Sequence, residues 1–248
     1  MDLRKQKVGV ELRKLGIEHE KMRVIVVMDA SGSMSEEYLK GKVQETLERL
    51  VPVASRLDTD GQLEFLYYAD RFLDLGTVDE HSMEGFVGTQ MPQERSGAGF
   101  LTLAFGWGRR KKAQEAARQG QPDFASLGMG NNEPPVMNEV RRKHREDRQP
   151  TPTLVLFITD GGIYTDKEIE QILRDSSRED LFWQFVGLGN QNYGILRRLD
   201  TLAGRAVDNA GFFAVDDIAQ ISDEELYQRL LSELPTWLRA ARAAGIIR

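Results

Sequence analysis

Two short apolar runs in this 248-residue chain end in the same way, and they restrict its fold more than any other feature. Arg23 to Asp29 (RVIVVMD) and Pro152 to Asp160 (PTLVLFITD) are rich in β-branched residues, apolar between their ends, and closed by an aspartate. Runs of this length and character read as strands buried on both faces of a parallel sheet. Leu181 to Gly189 (LFWQFVGLG) has the same character. Leu63 to Ala69 (LEFLYYA) reads as another strand, and Arg71 to Val78 (RFLDLGTV) as its antiparallel partner. Val8 to Leu15 alternates, which predicts an edge strand.

Helical patterns separate the runs. Tyr38 to Leu57 spaces Val43, Leu47, Leu50 and Ala54 three and four residues apart, predicting one amphipathic helix. Asp166 to Arg174 predicts a second, with Thr165 and Glu168 in capping-box spacing, and Asn192 to Leu202 a third. Ser222 and Glu225 repeat the capping-box spacing ahead of a helix that Pro235 should break, after which Trp237, Leu238 and Ala241 continue the apolar stripe. Alternation of strand and helix argues for one α/β domain, doubly wound, with a central, mostly parallel sheet flanked by helices. Residues 1–22 read as an N-terminal extension carrying the edge strand, and 23–248 as the domain. An irregular insertion spans about residues 89–130, rich in Gly, Gln and Pro and carrying the basic run Arg109 to Lys112. That run suits docking on an acidic partner or lipid headgroups.

Ligands of open α/β sheets bind beyond the carboxyl ends of the strands. There the first run delivers Asp29-Ala30-Ser31-Gly32-Ser33 and the second Thr159-Asp160-Gly161-Gly162. Two carboxylates and two hydroxyls suit a hard divalent cation, since magnesium takes about six oxygens in octahedral geometry. Asp29 and Asp160 would match its charge, Ser31 and Ser33 would add neutral oxygens, and Gly32 would let the loop turn tightly. Each motif alone has a blander reading, with Ser33 and Glu36 as a helix cap and Thr-Asp-Gly as a turn. With no cysteine in the chain, a thiolate zinc site, an iron–sulfur cluster and a cysteine nucleophile are excluded, and the donors that these motifs supply are oxygens.

The D-x-S-x-S pattern after a buried strand, with a later T-D-G, resembles the metal-ion-dependent adhesion site of von Willebrand factor A (vWA) domains. The chain is similar, further, to the TerF-like vWA proteins of bacterial tellurite-resistance (Ter) stress operons. The resemblance is carried by RVIVVMDASGSM, GNNEPPVMNEV, PTLVLFITDGGI, FWQFVGLG, GRAVDNAGFFAVDDI and ISDEELYQRLLSELPTWLRAAR, and covers nearly all of the chain except residues 89–127. It implies a single Rossmann-like vWA domain with the metal site at the carboxyl edge of the strands. It implies a site of Asp29, Ser31, Ser33 and Asp160 completed by a threonine of a middle loop. Asn131 stands in that threonine's place, so Asn131, Asn132 or a built-in Glu133 carboxylate completes the set, unless Glu133 is merely exposed on its loop. It implies magnesium, with calcium or manganese as alternatives, and a non-enzymatic interaction module. A protein partner would supply an acidic residue to the metal, other Ter-system proteins are the implied partners, and membrane association would be indirect at most.

Other patterns argue against competing functions. A formal charge of −6 disfavours a general nucleic-acid binder. Gly187 to Gly194 (GLGNQNYG) partly matches a dinucleotide fingerprint, but Asn192 replaces the third glycine, so an ordinary strand-to-helix turn is expected. His19, His81 and His144 lack metal-ligand spacing, and Arg141 to Arg148 reads as a solvated helix end. The basic start is interrupted by Glu11, Arg13 and Lys14, unlike a signal peptide, and no apolar run approaches the roughly 18 residues of a membrane span. A cytoplasmic protein is therefore expected. The competing functions are a metal-dependent hydrolase or phosphoryl-transfer enzyme, for which no placed base or nucleophile is evident, and an adaptor with a vestigial metal site.

Overall fold

The computed structural model describes residues 2–58, 62–79, 124–146, 151–189 and 192–247. Most of the expected insertion, including Arg109 to Lys112, lies outside the described residues, as does His81. Six strands form one sheet: β1 (Arg23–Asp29), β2 (Gln62–Tyr68), β3 (Phe72–Asp79), β4 (Thr153–Thr159), β5 (Leu181–Leu188) and β6 (Ala210–Val215). Their order is β3-β2-β1-β4-β5-β6, and only β3 runs antiparallel. This is the doubly wound α/β architecture expected from the alternation of elements.

Side-chain alternation divides each strand between two cores. Val24, Val26 and Met28 of β1 face the first core, and Ile25 and Val27 the second. The first core is closed by α1 (Asp2–Lys14), α3 (Lys42–Leu57), α6 (Asp223–Leu231) and α7 (Leu234–Ala243). The second is closed by α4 (Glu133–Glu146), α5 (Asp166–Ser176) and the 3-10 segment Gly194–Thr201. From β1 the chain winds through α2 (Ser35–Leu39) and α3 to β2 on one side, and β4 pairs on the other. The crevice between β1 and β4 is therefore the topological switch point, the place where such sheets bind ligands.

Several local expectations are corrected by tertiary contacts. Val8 to Leu15 is not an edge strand: Asp2–Lys14 is helical. Val8 and Leu12, one helical turn apart, are buried in the first core, while Val10 between them is exposed, so the period is that of a helix. The single helix expected over Tyr38 to Leu57 is two, because Gly41 adopts φ +72° at the start of α3. Asn192 to Leu202 forms a 3-10 segment over Gly194–Thr201. Ser222 does cap α6, accepting from the Glu225 amide at 3.1 Å, and Pro235 opens α7 in its first turn. The Arg141 to Arg148 run is not wholly solvated. Arg141 is buried, donating Nε and Nη2 to the two carboxylate oxygens of Glu179 just beyond α5 (3.1 and 2.9 Å), and His144 joins Thr153 to Asp180 (both 2.9 Å).

Trp237 of that stripe is buried, with its ring 5.3 Å from that of Phe182. Trp237→Ala should therefore cost about 3–5 kcal/mol in chemical denaturation, the range of large aromatic truncations in a packed core. A loss below about 1 kcal/mol would show that α7 does not anchor the sheet.

Candidate metal centre

The register that makes the sheet also assembles the site. Asp29 pairs with Tyr68 across β1–β2, and Met28 with Ile158 across β1–β4, so Asp29, Tyr68 and Thr159 share one face at the carboxyl edge. Asp29 is fully buried. Its Oδ1 accepts the Ser31 amide at 2.8 Å, and its Oδ2 accepts the Tyr68 and Thr159 hydroxyls at 3.0 and 3.2 Å. Its backbone carbonyl accepts the Tyr38 hydroxyl at 2.7 Å. Ser31 Oγ lies 3.0 Å from Ser33 Oγ, which donates to Asp160 Oδ1 at 3.1 Å. The hydroxyl of Ser33 is thus committed across the crevice and does not cap α2, whose N-cap position is Met34.

The two hydrogen-bonded spacings along the row Ser31 Oγ, Ser33 Oγ, Asp160 Oδ1 also equal the separation of neighbouring oxygens in an octahedral cation shell. Bonds of about 2.1 Å at right angles place neighbouring oxygens of a magnesium octahedron about 3.0 Å apart. Among the described residues no three His, Cys, Asp or Glu side chains come together as metal ligands. What the edge does bring together is a carboxylate and two hydroxyls, with Asp29 hydrogen-bonded behind them.

The middle loop supplies further donors. Asn131 donates its Nδ2 to the Gly161 carbonyl, and its buried Oδ1 has no hydrogen-bond partner. That free amide oxygen is a neutral hard donor, as the two serine hydroxyls are. Asn132 faces elsewhere, donating its amide to the Ala69 carbonyl at 3.1 Å and its Nδ2 to the Asp70 carbonyl at 3.3 Å. Glu133 is not exposed on the loop. It is 1% exposed, its Oε2 accepts the Thr165 hydroxyl at 3.0 Å, and its Oε1 has no partner. Thr165 consequently makes no side-chain cap for α5, contrary to the capping-box expectation.

Three buried acids thus crowd this edge, and among the described residues no lysine or arginine pairs with them. Burial raises Asp29 although three donors pull it down. Burial and then the charge of Asp29 push Asp160 up to about 7. Burial, reinforced by Asp29 and Asp166 and opposed by Thr165, pushes Glu133 up to about 7. Asp29, Ser31, Ser33 and Asp160 are legible as site residues in the sequence, whereas Tyr68 and Thr159 are not, and Thr165 reads there only as a helix cap. Thr159 sits inside the quoted motif, whereas Tyr68 and Thr165 become neighbours only through the sheet order.

The nucleotide-like segment is accounted for by packing. A Cβ at Gly187 would come within 2.5 Å of the Tyr193 ring, so the glycine makes room for an aromatic side chain.

Residues 21–247 match the family described as vWA-TerF-like, the vWA found in the TerF C terminus. The chain belongs to the vWA-TerF-like family. It is 36% identical over 249 residues to the uncharacterized protein YcbR of Bacillus subtilis (strain 168), covering 100% of this chain and 90% of that one. Two solved structures share the vWA-like fold at low identity. The aerotolerance-related membrane protein of Bacteroides fragilis superposes with TM-score 0.54 and 12% identity, over 87% of this chain and 99% of that one. The SpRpn10 VWA domain superposes with TM-score 0.52 and 9% identity, over 83% and 93%. No helix of this vWA domain, among the described residues, is long and apolar enough to cross a membrane.

Asp160 and Glu133 bind protons more tightly when folded than at the ordinary unfolded values of about 4. The stability they lend is complete in acid and is lost as pH rises through about 7. Acids held low by partners, such as Glu179 and Asp180, complete their titration below this window. The melting temperature of EDTA-treated protein should therefore fall between pH 5 and pH 8, and Glu133→Gln should flatten the slope. An equal slope in wild type and variant would mean that Glu133 is ionised throughout.

Proposed function

We propose that this chain is a metal-dependent protein-interaction module, as vWA domains often are, rather than an enzyme. A divalent cation, magnesium first and calcium or manganese as alternatives, would be held by Ser31, Ser33 and Asp160, with Asn131 Oδ1 completing the set and Asp29 supporting it from behind. The observation that carries this reading is the row of three oxygens at 3.0 and 3.1 Å at the switch point of the sheet. When bound, the cation would supply a Lewis-acidic attachment point for a carboxylate.

The chain's own residues prepare that attachment. Ser31 and Ser33 contribute no charge, so two aspartates would leave a divalent ion neutralised only in the formal sense, with room for one more anionic oxygen. Asp29, locked by Tyr68, Thr159 and the Ser31 amide, keeps the D-x-S-x-S loop in its turn. Tyr164, four residues after Asp160, is 83% exposed and offers an aromatic surface near the cluster for a partner to cover. The partner would be a protein presenting an acidic side chain. Bacterial tellurite and stress-response proteins in the cytoplasm are the setting that membership of the TerF-like family suggests.

Magnesium or manganese titrated calorimetrically into the full chain should bind with about one ion per chain, and Asp160→Ala should abolish it. Proteins retained by the wild type in magnesium should be released by EDTA and not retained by Asp160→Ala. Equal retention in all three conditions would overturn the reading. Turnover of phosphate esters by the magnesium-loaded protein, lost in Asp160→Ala, would replace it with the enzymatic alternative.

A further inference from the structure

The middle loop is held from outside the cluster of candidate ligands, by a residue that no motif singles out. Asp70 lies in the turn between β2 and β3 and is exposed at the surface. Its Oδ2 accepts the Met129 amide at 2.9 Å. The carboxylate is seated between two glycines: a Cβ at Gly128 would lie 2.0 Å from Oδ2, and a Cβ at Gly130 would lie 2.0 Å from Oδ1. Only glycine at both positions leaves room for that carboxylate, and Gly128 also holds φ +79°.

Backbone hydrogen bonds knit the same turn to the same loop on both sides of Asn131. The Arg71 amide donates to the Leu127 carbonyl at 3.0 Å, and the Asn132 amide to the Ala69 carbonyl at 3.1 Å. The Asn132 side chain reaches the Asp70 carbonyl at 3.3 Å. From the gripped segment the connection passes on, since the Met129 carbonyl accepts the Gly32 amide at 2.8 Å. Gly32 stands between Ser31 and Ser33. One turn therefore sets the placement of both the middle loop and the D-x-S-x-S loop.

We propose that Asp70 is a positioning residue for the cation centre, its carboxylate locking Gly128 to Gly130 so that Asn131 and the two serines keep ligand spacing. This rests on the reading of the edge as a cation site. Because Asp70 is exposed and fills no part of either core, its removal leaves no cavity and should affect ion binding far more than folding.

The test is manganese affinity by calorimetry on the full chain, with the melting temperature in EDTA recorded for every variant. Asp70→Ala should weaken binding about tenfold to a hundredfold, the usual loss when a group orienting metal ligands is removed. Gly130→Ala, which keeps Asp70 but displaces its carboxylate, should do the same. Asp70→Asn, which keeps an acceptor for the Met129 amide, should recover most of the affinity. Asp74→Ala is the control on the same hairpin: it removes an ion pair with Lys143 and should leave affinity unchanged. Wild-type affinity in Asp70→Ala would overturn the inference while leaving the cation site standing, as would an equal loss in Asp74→Ala. No manganese binding by the wild type would overturn the site itself.

Discussion

Parallel pairing of β1 with β4 brings Asp29 and Asp160 to one edge of a sheet whose central strands are largely buried and apolar. Burial strips both carboxylates of hydration, and the charge of Asp29 adds to this at Asp160, which is why both hold their protons more tightly than usual. The surrounding residues answer with hydroxyl and amide donors. Tyr68, Thr159, Ser33 and the Ser31 amide orient the carboxylates without cancelling their charge. A lysine in any of these positions would have neutralised the edge and closed it to a cation. Hydroxyls preserve an anionic, geometrically ordered row of oxygens.

That order depends on loops tied mainly through their backbones. The Ala30 amide donates to the Tyr68 carbonyl (2.8 Å), Gly32 to Met129 (2.8 Å), and Gly162 to Asn192 (2.8 Å). Each bond contributes only about 1 kcal/mol. Together they hang the loops from strand ends that are themselves locked between two helical layers. A polar site of this kind needs its supports placed to within a fraction of an ångström, which rigid strand ends supply better than free loops. The two glycines around Asp70 and the glycine under Tyr193 serve the same end, because each lets one chain segment approach another more closely than a Cβ would allow.

The buried strands were legible because a run such as TLVLFIT can hardly be placed anywhere but in the middle of a sheet. The antiparallel β3 and the cap at Ser222 were legible because their signals are local. Residues whose alternatives are close in local energy were not. The segment Val8 to Leu15 satisfies both a two-residue and a near-four-residue period, and packing of Val8 and Leu12 in the first core decided for the helix. Ser33 and Thr165 are equally good local caps, and each was claimed by a distant carboxylate, Asp160 and Glu133 respectively. Glu133 reads as an exposed loop acid in the sequence because nothing nearby in the chain shows that α4 would be pressed against the second core.

The amino-acid sequence by itself determined the α/β class, the strands that form the centre of the sheet, and the four oxygen-bearing residues Asp29, Ser31, Ser33 and Asp160 at their ends. Strand character and end position are properties of short segments, so they survive without knowledge of the fold. Only the tertiary structure decided which strands are neighbours, and with that came the pairing of Tyr68 and Thr159 with Asp29. It also decided the burial of Glu133, the orientation of Asn131 toward Gly161 and of Asn132 away from it, and the grip of Asp70 on a loop 58 to 60 positions further along the chain. Those contacts join segments that no periodicity links, and they exist only once the sheet has set the distances between its loops.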